Sequence, residues 1–136
     1  MSETVIRRLG PGDEAVVAAL AEDPPQTALL RDPATILLAA FQDDEPVGFV
    51  LAYDLPRRHG DASILCVYEV DVVEKAQRQG IASRLLGELA AIARERGIGE
   101  GFVLTEPDND AANGLYESVG GKRYEVVMWD FAYTDS

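Results

Sequence analysis

Two periodicities divide the chain. Thr4–Leu9 alternates with β-branched residues and predicts a first strand, broken by Gly10-Pro11-Gly12. Asp13 then stands where it can N-cap a short helix whose inner face carries Ala15, Val16, Ala19 and Leu20, stopped at Asp23-Pro24-Pro25. Gln26–Arg31 predicts one or two further helical turns before Asp32-Pro33. Thr35–Phe41 and Pro46–Leu55 read as strands joined by the short loop Gln42–Glu45, and Leu55–Ser63 reads as an exposed loop. Ile64–Val73 is nearly all apolar, which predicts a central strand covered on both faces. A helical period then sets in. Ile81, Leu85, Leu89 and Ile92 form one stripe in a helix over Gly80–Arg96, with Gly97 as its stop. Gly101–Thr105 predicts a strand, Ala111–Val119 a helix closed by Gly120-Gly121, and Lys122–Ala132 one last strand or two short ones. The sum is a single mixed α/β domain over residues 1–136.

Composition narrows the function classes. Apolar residues make up 47% of the 136, enough for a real core, and no apolar run approaches a bilayer span. The lone Cys66 allows no internal disulfide, and Met1-Ser2-Glu3 opens no signal peptide, so a cytoplasmic protein is expected. Net charge is −12, which argues against nucleic acid and anionic membranes and favours a cationic partner. His59 is the only histidine and no Cys/His cluster exists, so no metal site is expected. Cys66 has no histidine placed to activate it and reads as a packing residue.

The junction Val70–Leu86 is where chemistry first becomes visible. A β-branched run passes through a short polar turn directly into the longest helix. The first amides of such a helix lack intrahelical acceptors and carry the positive end of its dipole, which suits an anion, normally a phosphate. Gly80 lets backbone approach that ligand. No G-x-x-x-x-G-K-[ST] motif is present, which argues against a nucleoside triphosphatase. Alone, Gln77–Ala82 also fits an ordinary strand-to-helix turn.

A second motif changes its weight. Gln77-x-x-Gly80-x-Ala82 followed by Asn109-x-x-Ala112-x-x-Leu115-Tyr116-x-x-x-Gly120 resembles the general N-acetyltransferase (GNAT) superfamily over essentially the whole chain, with Gly121 standing where that family usually has Phe. Val5-Ile6-x-Arg8-Leu9-Gly10-Pro11, Leu38–Phe41, Val47–Pro56, Arg78–Ala82 and Val126-Val127-Met128-x-Asp130 are similar to aminoglycoside 3-N-acetyltransferases, although Ala21–Thr35 is shorter than in that subfamily. The resemblance implies a GNAT fold: a mixed, mostly antiparallel sheet of six to seven strands, splayed in the middle, with about four helices. It also implies acetyl-CoA as donor, with coenzyme A as product.

Several roles follow from the resemblance. Arg78, Gln79, Gly80, Ile81, Ala82 and Ser83 would cradle the pyrophosphate, with Gln77, Asn109 and Ala112 beside it. Val72 and Val73 would hold the pantetheine chain, and one of their amides would stabilise an oxyanion. Tyr116 is the candidate general acid, since a phenol can protonate a departing thiolate; a half-buried core tyrosine is the plainer reading. Glu69, a charge in an apolar strand, is the leading candidate base, and Glu106 the alternative. For a polyamine sugar, Asp54, Glu69, Glu106, Asp108, Asp110 and Asp130 would ring the acceptor, though each alone also fits a surface charge. The alternatives are another amine acceptor (a polyamine, an amino acid or a protein amine) or a silent CoA-binding module. The apolar final strand could complete a homodimer.

Overall fold

The computed structural model describes residues 3–21, 23–61 and 63–135. Five strands form one sheet in sequence order: β1 (Thr4–Arg8), β2 (Thr35–Gln42), β3 (Glu45–Leu55), β4 (Ile64–Val72) and β5 (Gly101–Val103). The first four are antiparallel to their neighbours, and β5 runs parallel to β4. Asp43 and Asp44 both take positive φ in the β2–β3 turn, as a two-residue hairpin loop requires.

Helix α2 (Ile81–Glu95) crosses from β4 to β5 and packs on one face of the sheet. Its buried residues Ile81, Leu85 and Leu89 meet Leu38, Val50 and Ala52 there. Each such side chain contributes about 1.5–3 kcal/mol on burial. The helix ends on Gly97 at φ 72°; Gly97 N–H donates to Arg94 O and Ile98 N–H to Ala93 O, and Ile98 plugs the core. The opposite face carries α1 (Glu14–Leu20) and the 3-10 turn Thr27–Arg31, over Leu37, Ala39 and Leu51. Helix α3 (Asp110–Ser118) follows β5 and has no buried residue. Among the described residues, no helix is long and apolar enough to cross a membrane.

The class is the predicted mixed α/β one, but several details differ. Among the described residues the sheet has five strands rather than six or seven, because Lys122–Ala132 forms no ladder with them. Three α-helices form rather than four; the segment before Asp32-Pro33 is only a 3-10 turn. Val17, not Ala15 or Ala19, is the buried residue of α1. Asp13 is the N-cap residue of α1, but its side chain makes no capping bond: the carboxylate accepts from Gly10 N–H and pairs with Arg7, which holds its pKa below the usual range. The second half of β4 is covered on one face only: Val70 and Val72 pack against the core, while Glu69 and Asp71 are exposed on the other face.

Asp54 closes the sheet at the end opposite the α2 N-terminus. Its carboxylate sits 2.9 Å from Arg96 Nη1, and hydrogen bonding from Ser63 and then Arg96 lowers its pKa against the opposing effect of burial. A carboxyl depressed in the folded state stabilises above its unfolded pKa of about 3.9 and loses that contribution as pH falls through the folded value. Asp54→Asn is therefore expected to lose about 1 kcal/mol at neutral pH in urea unfolding, and less as the pH approaches 3. An equal loss at both pH values would show that the pair is not the cause.

Candidate active site

The site begins where a ladder stops. β4 and β5 pair through Leu65–Gly101, Cys66–Phe102 and Val67–Val103, and no further. Beyond Val67, β4 continues to Val72 along β3 alone, so its other edge is open. The same point carries a β-bulge: Leu51 opposes Glu69 and Ala52 opposes Val67, which leaves Tyr68 as the extra residue. Bulges increase local twist and re-aim side chains, and this one coincides with the splay.

Register sorts the side chains past the bulge. Glu69 opposes Leu51 and Asp71 opposes Phe49, so both carboxylates share the face of α1, while Val70 and Val72 turn to the α2 side. Tyr53 lies on the carboxylate face and meets Tyr68 edge-on, with centroids 5.8 Å apart. Burial first, then the charge of Glu69, raises the Tyr53 pKa. A cavity of about 210 Å³ opens between Leu20 and Ala21 at the end of α1, Gly48 and Phe49 of β3, and Asp71 and Val73. Asp71 and Tyr53 are absent from the residues singled out by sequence. Period-two spacing from Glu69 points to Asp71; Tyr53 needed the register.

The backbone corrects one expectation. Val73 N–H donates to Val47 O at 2.8 Å, so it is spent inside the sheet and is not an oxyanion donor. Strand alternation turns the Val72 groups the other way. Val72 N–H meets Asp71 Oδ1 at 3.0 Å, and Val72 O accepts from Gln77 Nε2 at 2.9 Å. Gln77 thus braces the end of β4 with its side chain. Gln79 is similarly tied, accepting from Gln42 Nε2 at 2.8 Å.

Past this brace the chain turns on two left-handed residues, Arg78 (φ 65°) and Gly80 (φ 75°). Gly80 is the N-cap of α2, and no side chain caps that end. Arg84 N–H donates to Gly80 O at 3.1 Å, so the amides of Ile81, Ala82 and Ser83 have no helical acceptor. A Cβ built on Gly80 meets nothing within 4 Å, so the space before these amides is open. Three free donors, a helix dipole and open space fit a phosphate group.

The remaining predicted residues divide. Glu106 and Asp108 lie in the exposed segment after β5, on the far side of the splay from Glu69, and Asp110 opens α3. Asn109 is the N-cap of α3, its Oδ1 accepting from Ala112 N–H at 3.1 Å; its side chain builds the helix rather than reaching a ligand. Tyr116 is half-buried on α3, and burial raises its pKa, so the phenol keeps its proton at neutral pH. Asp54, ion-paired with Arg96 at the other end of β4, is not brought to this site, and Asp130 lies in the exposed segment 122–135. Burial raises the Cys66 thiol as well, which keeps it protonated and a poor nucleophile. Arg57 pairs with Glu100.

A family model described as the acetyltransferase (GNAT) family matches residues 8–121. The chain belongs to the GNAT acetyltransferase family. It is 36% identical over 85 residues to an L-2,4-diaminobutyric acid acetyltransferase of Methylotuvimicrobium alcaliphilum, covering 62% of this chain and 48% of that one. A protein of the same description from Marinococcus halophilus is 30% identical over 106 residues, covering 75% and 58%. The chain thus spans about half the length of the curated relatives it matches. Among solved structures, an aminoglycoside acetyltransferase from an uncultured soil metagenomic sample, HMB0005, superposes with a TM-score of 0.87 at 26% identity, over 97% and 99% of the two chains. Another from such a sample, meta-AAC0020 in complex with trehalose, gives 0.90 at 22% identity over 96% and 97%, a likeness of fold.

GNAT acetyltransferases use acetyl-CoA, and in this member the open β4 edge and the free α2 amides are the residues suited to hold it. Gly80→Ala is expected to lose about 1 kcal/mol of stability through its left-handed φ alone, since nothing crowds the added methyl. Urea unfolding checks this, and an unchanged midpoint would contradict the turn geometry.

Proposed function

We propose that the chain transfers an acetyl group from acetyl-CoA to an amine of a cationic small molecule, with an aminoglycoside, at its 3-N amine, as the acceptor. The observation that carries this reading is the continuous edge from Glu69 through Val72 to the α2 N-terminus. It joins a carboxylate, an unpaired strand edge and an anion cradle in one line. Acetyl-CoA supplies an activated acyl thioester. Ile81, Ala82 and Ser83 donate their amides to its phosphates, and Val70 offers backbone groups to its amide-bearing arm. Alternation directs the Val70 N–H into the splay, where it can donate to a developing negative charge on an acyl oxygen, whereas Val72 N–H is held by Asp71 Oδ1.

On the α1 face Glu69 takes a proton from the incoming ammonium, making it a nucleophile. The amine then attacks the thioester carbonyl carbon. As the C–S bond breaks, Tyr116 gives its phenolic proton to the leaving sulfur and is reprotonated by the second proton that the nitrogen sheds on becoming an amide. Asp71 and Glu69 together attract the cationic acceptor, and Tyr53 and Tyr68 offer it an aromatic wall. Glu106 remains the alternative base.

A second reading rests on the cavity beside Asp71. At about 210 Å³ it is below the range of about 300–1,000 Å³ usual for drug-sized ligands and suits a small diamine, such as the 2,4-diaminobutyrate in the relatives' names. Thiol release from acetyl-CoA across aminoglycosides, 2,4-diaminobutyrate, polyamines and peptides separates these readings. No turnover with any amine, despite tight CoA binding, would leave only a silent CoA-binding module.

Tyr116→Phe is expected to lower kcat by about 10²-fold while leaving CoA binding unchanged; an unaltered kcat removes Tyr116 from the reaction. Glu69→Gln should move the acid limb of the kcat/KM profile to higher pH, because the amine must then arrive already deprotonated. An unmoved limb transfers the role to Glu106 or water.

A further inference from the structure

The turn between β4 and α2 is staked at alternate residues. Lys75 Nζ reaches both carboxylate oxygens of Glu45 at 2.9 Å, Gln77 Nε2 donates to Val72 O at 2.9 Å, and Gln79 Oε1 accepts from Gln42 Nε2 at 2.8 Å. Between the first two stakes Ala76 is buried against the core, and between the last two Arg78 takes φ 65°. Glu45 and Gln42 stand on either side of the β2–β3 turn, 30 and 37 residues from their partners. The end of that hairpin therefore lies under the turn that opens the phosphate cradle.

The two hairpin contacts are not equal. Lys75 and Glu45 are exposed, at 62% and 60%, and an ion pair of that kind holds little. Gln42 is half-buried, and its amide nitrogen uses both hydrogens, one on Thr4 Oγ1 at 3.0 Å and one on Gln79 Oε1. Thr4 itself opposes Gln42 in the β1–β2 ladder. The sheet thus fixes the Gln42 amide, and Gln79 docks on a group that has little freedom left to lose.

Arg78 is the residue that needs this support. A side chain with a Cβ rarely adopts its left-handed conformation, which persists where the flanking structure imposes it. The flanking residues are Gln77 and Gln79, and both are tied. With Gln79 released, residues 78–80 could sample positions across the open space before the Ile81, Ala82 and Ser83 amides. A ligand would then have to order them at an entropic cost.

We propose that Gln42 is a positioning residue for the donor: through Gln79 it holds the left-handed turn ahead of α2, so the phosphate cradle is formed before its ligand arrives. This role rests on the reading that places the CoA phosphates at the α2 N-terminus. It assigns the end of the β2–β3 hairpin, remote from the reacting groups, to donor affinity.

Titration of the full chain with CoA, followed by nuclear magnetic resonance, tests both layers. Gln42→Ala and Gln79→Ala are each expected to weaken CoA about fivefold, the worth of one hydrogen bond, and the double variant no further than either alone. Pantetheine, which lacks the phosphates, should bind wild type and Gln42→Ala alike, read at the Val70 amide; a general loosening of the sheet would weaken both ligands. In the ligand-free Gln42→Ala chain the amides of residues 78–83 should exchange faster with solvent. Three results overturn the proposal: unchanged CoA affinity in Gln42→Ala, equal weakening of CoA and pantetheine, or losses that add in the double variant. Absence of CoA-induced shifts at Ile81, Ala82 and Ser83 in the wild type is a separate failure, which removes the cradle reading itself and this role with it.

Discussion

The early end of the β4–β5 ladder is the constraint on which the site depends. Had pairing continued past Val67 and Val103, the groups of Val70 and Val72 would be consumed by β5. Because it stops, a stretch of β4 pairs with β3 on one edge and with no strand on the other, where Val72 is met only by the side chains of Asp71 and Gln77. The bulge at Tyr68 falls at the same point and sends Glu69 and Asp71 to the α1 face while the valines keep the α2 face. Donor and acceptor groups thus approach one strand from opposite sides.

Two further features make the strand usable. Gln77 ties Val72 O to the turn that follows, and the left-handed pair Arg78 and Gly80 swings the chain into α2 with three amides uncapped. The stripe Ile81, Leu85 and Leu89 then anchors the helix against the sheet, so the cradle is held by the core. Tyr116, the proposed acid, stands instead on a helix without a buried residue, after the edge strand β5.

The layout of the fold was legible because its signals are local: the period-two runs of β1 to β4, the heptad-like stripe of α2, and its terminal Gly97. The GNAT resemblance rested on two spaced motifs, and both occupy the helix starts they imply. What sequence could not supply was register. Whether Val72 or Val73 faces the splay depends on the bulge at Tyr68 further back along β4, and Tyr53 reaches Glu69 only through strand pairing. Asp54 looked like an acceptor carboxylate because it ends a strand, but it ends it on the wrong side, against Arg96. Lys122–Ala132 has a strand's composition but forms no ladder with the described residues, and no local pattern carries that.

The central claim is that CoA lies along the open β4 edge and the α2 N-terminus. Amide chemical shifts followed by nuclear magnetic resonance during titration with CoA test it most directly. The account predicts that Val70, Val72, Ile81, Ala82 and Ser83 move most, with slowed exchange at the three helix amides. Shifts centred on the Arg57–His59 loop or the α1 face, with those five amides unmoved, would contradict it.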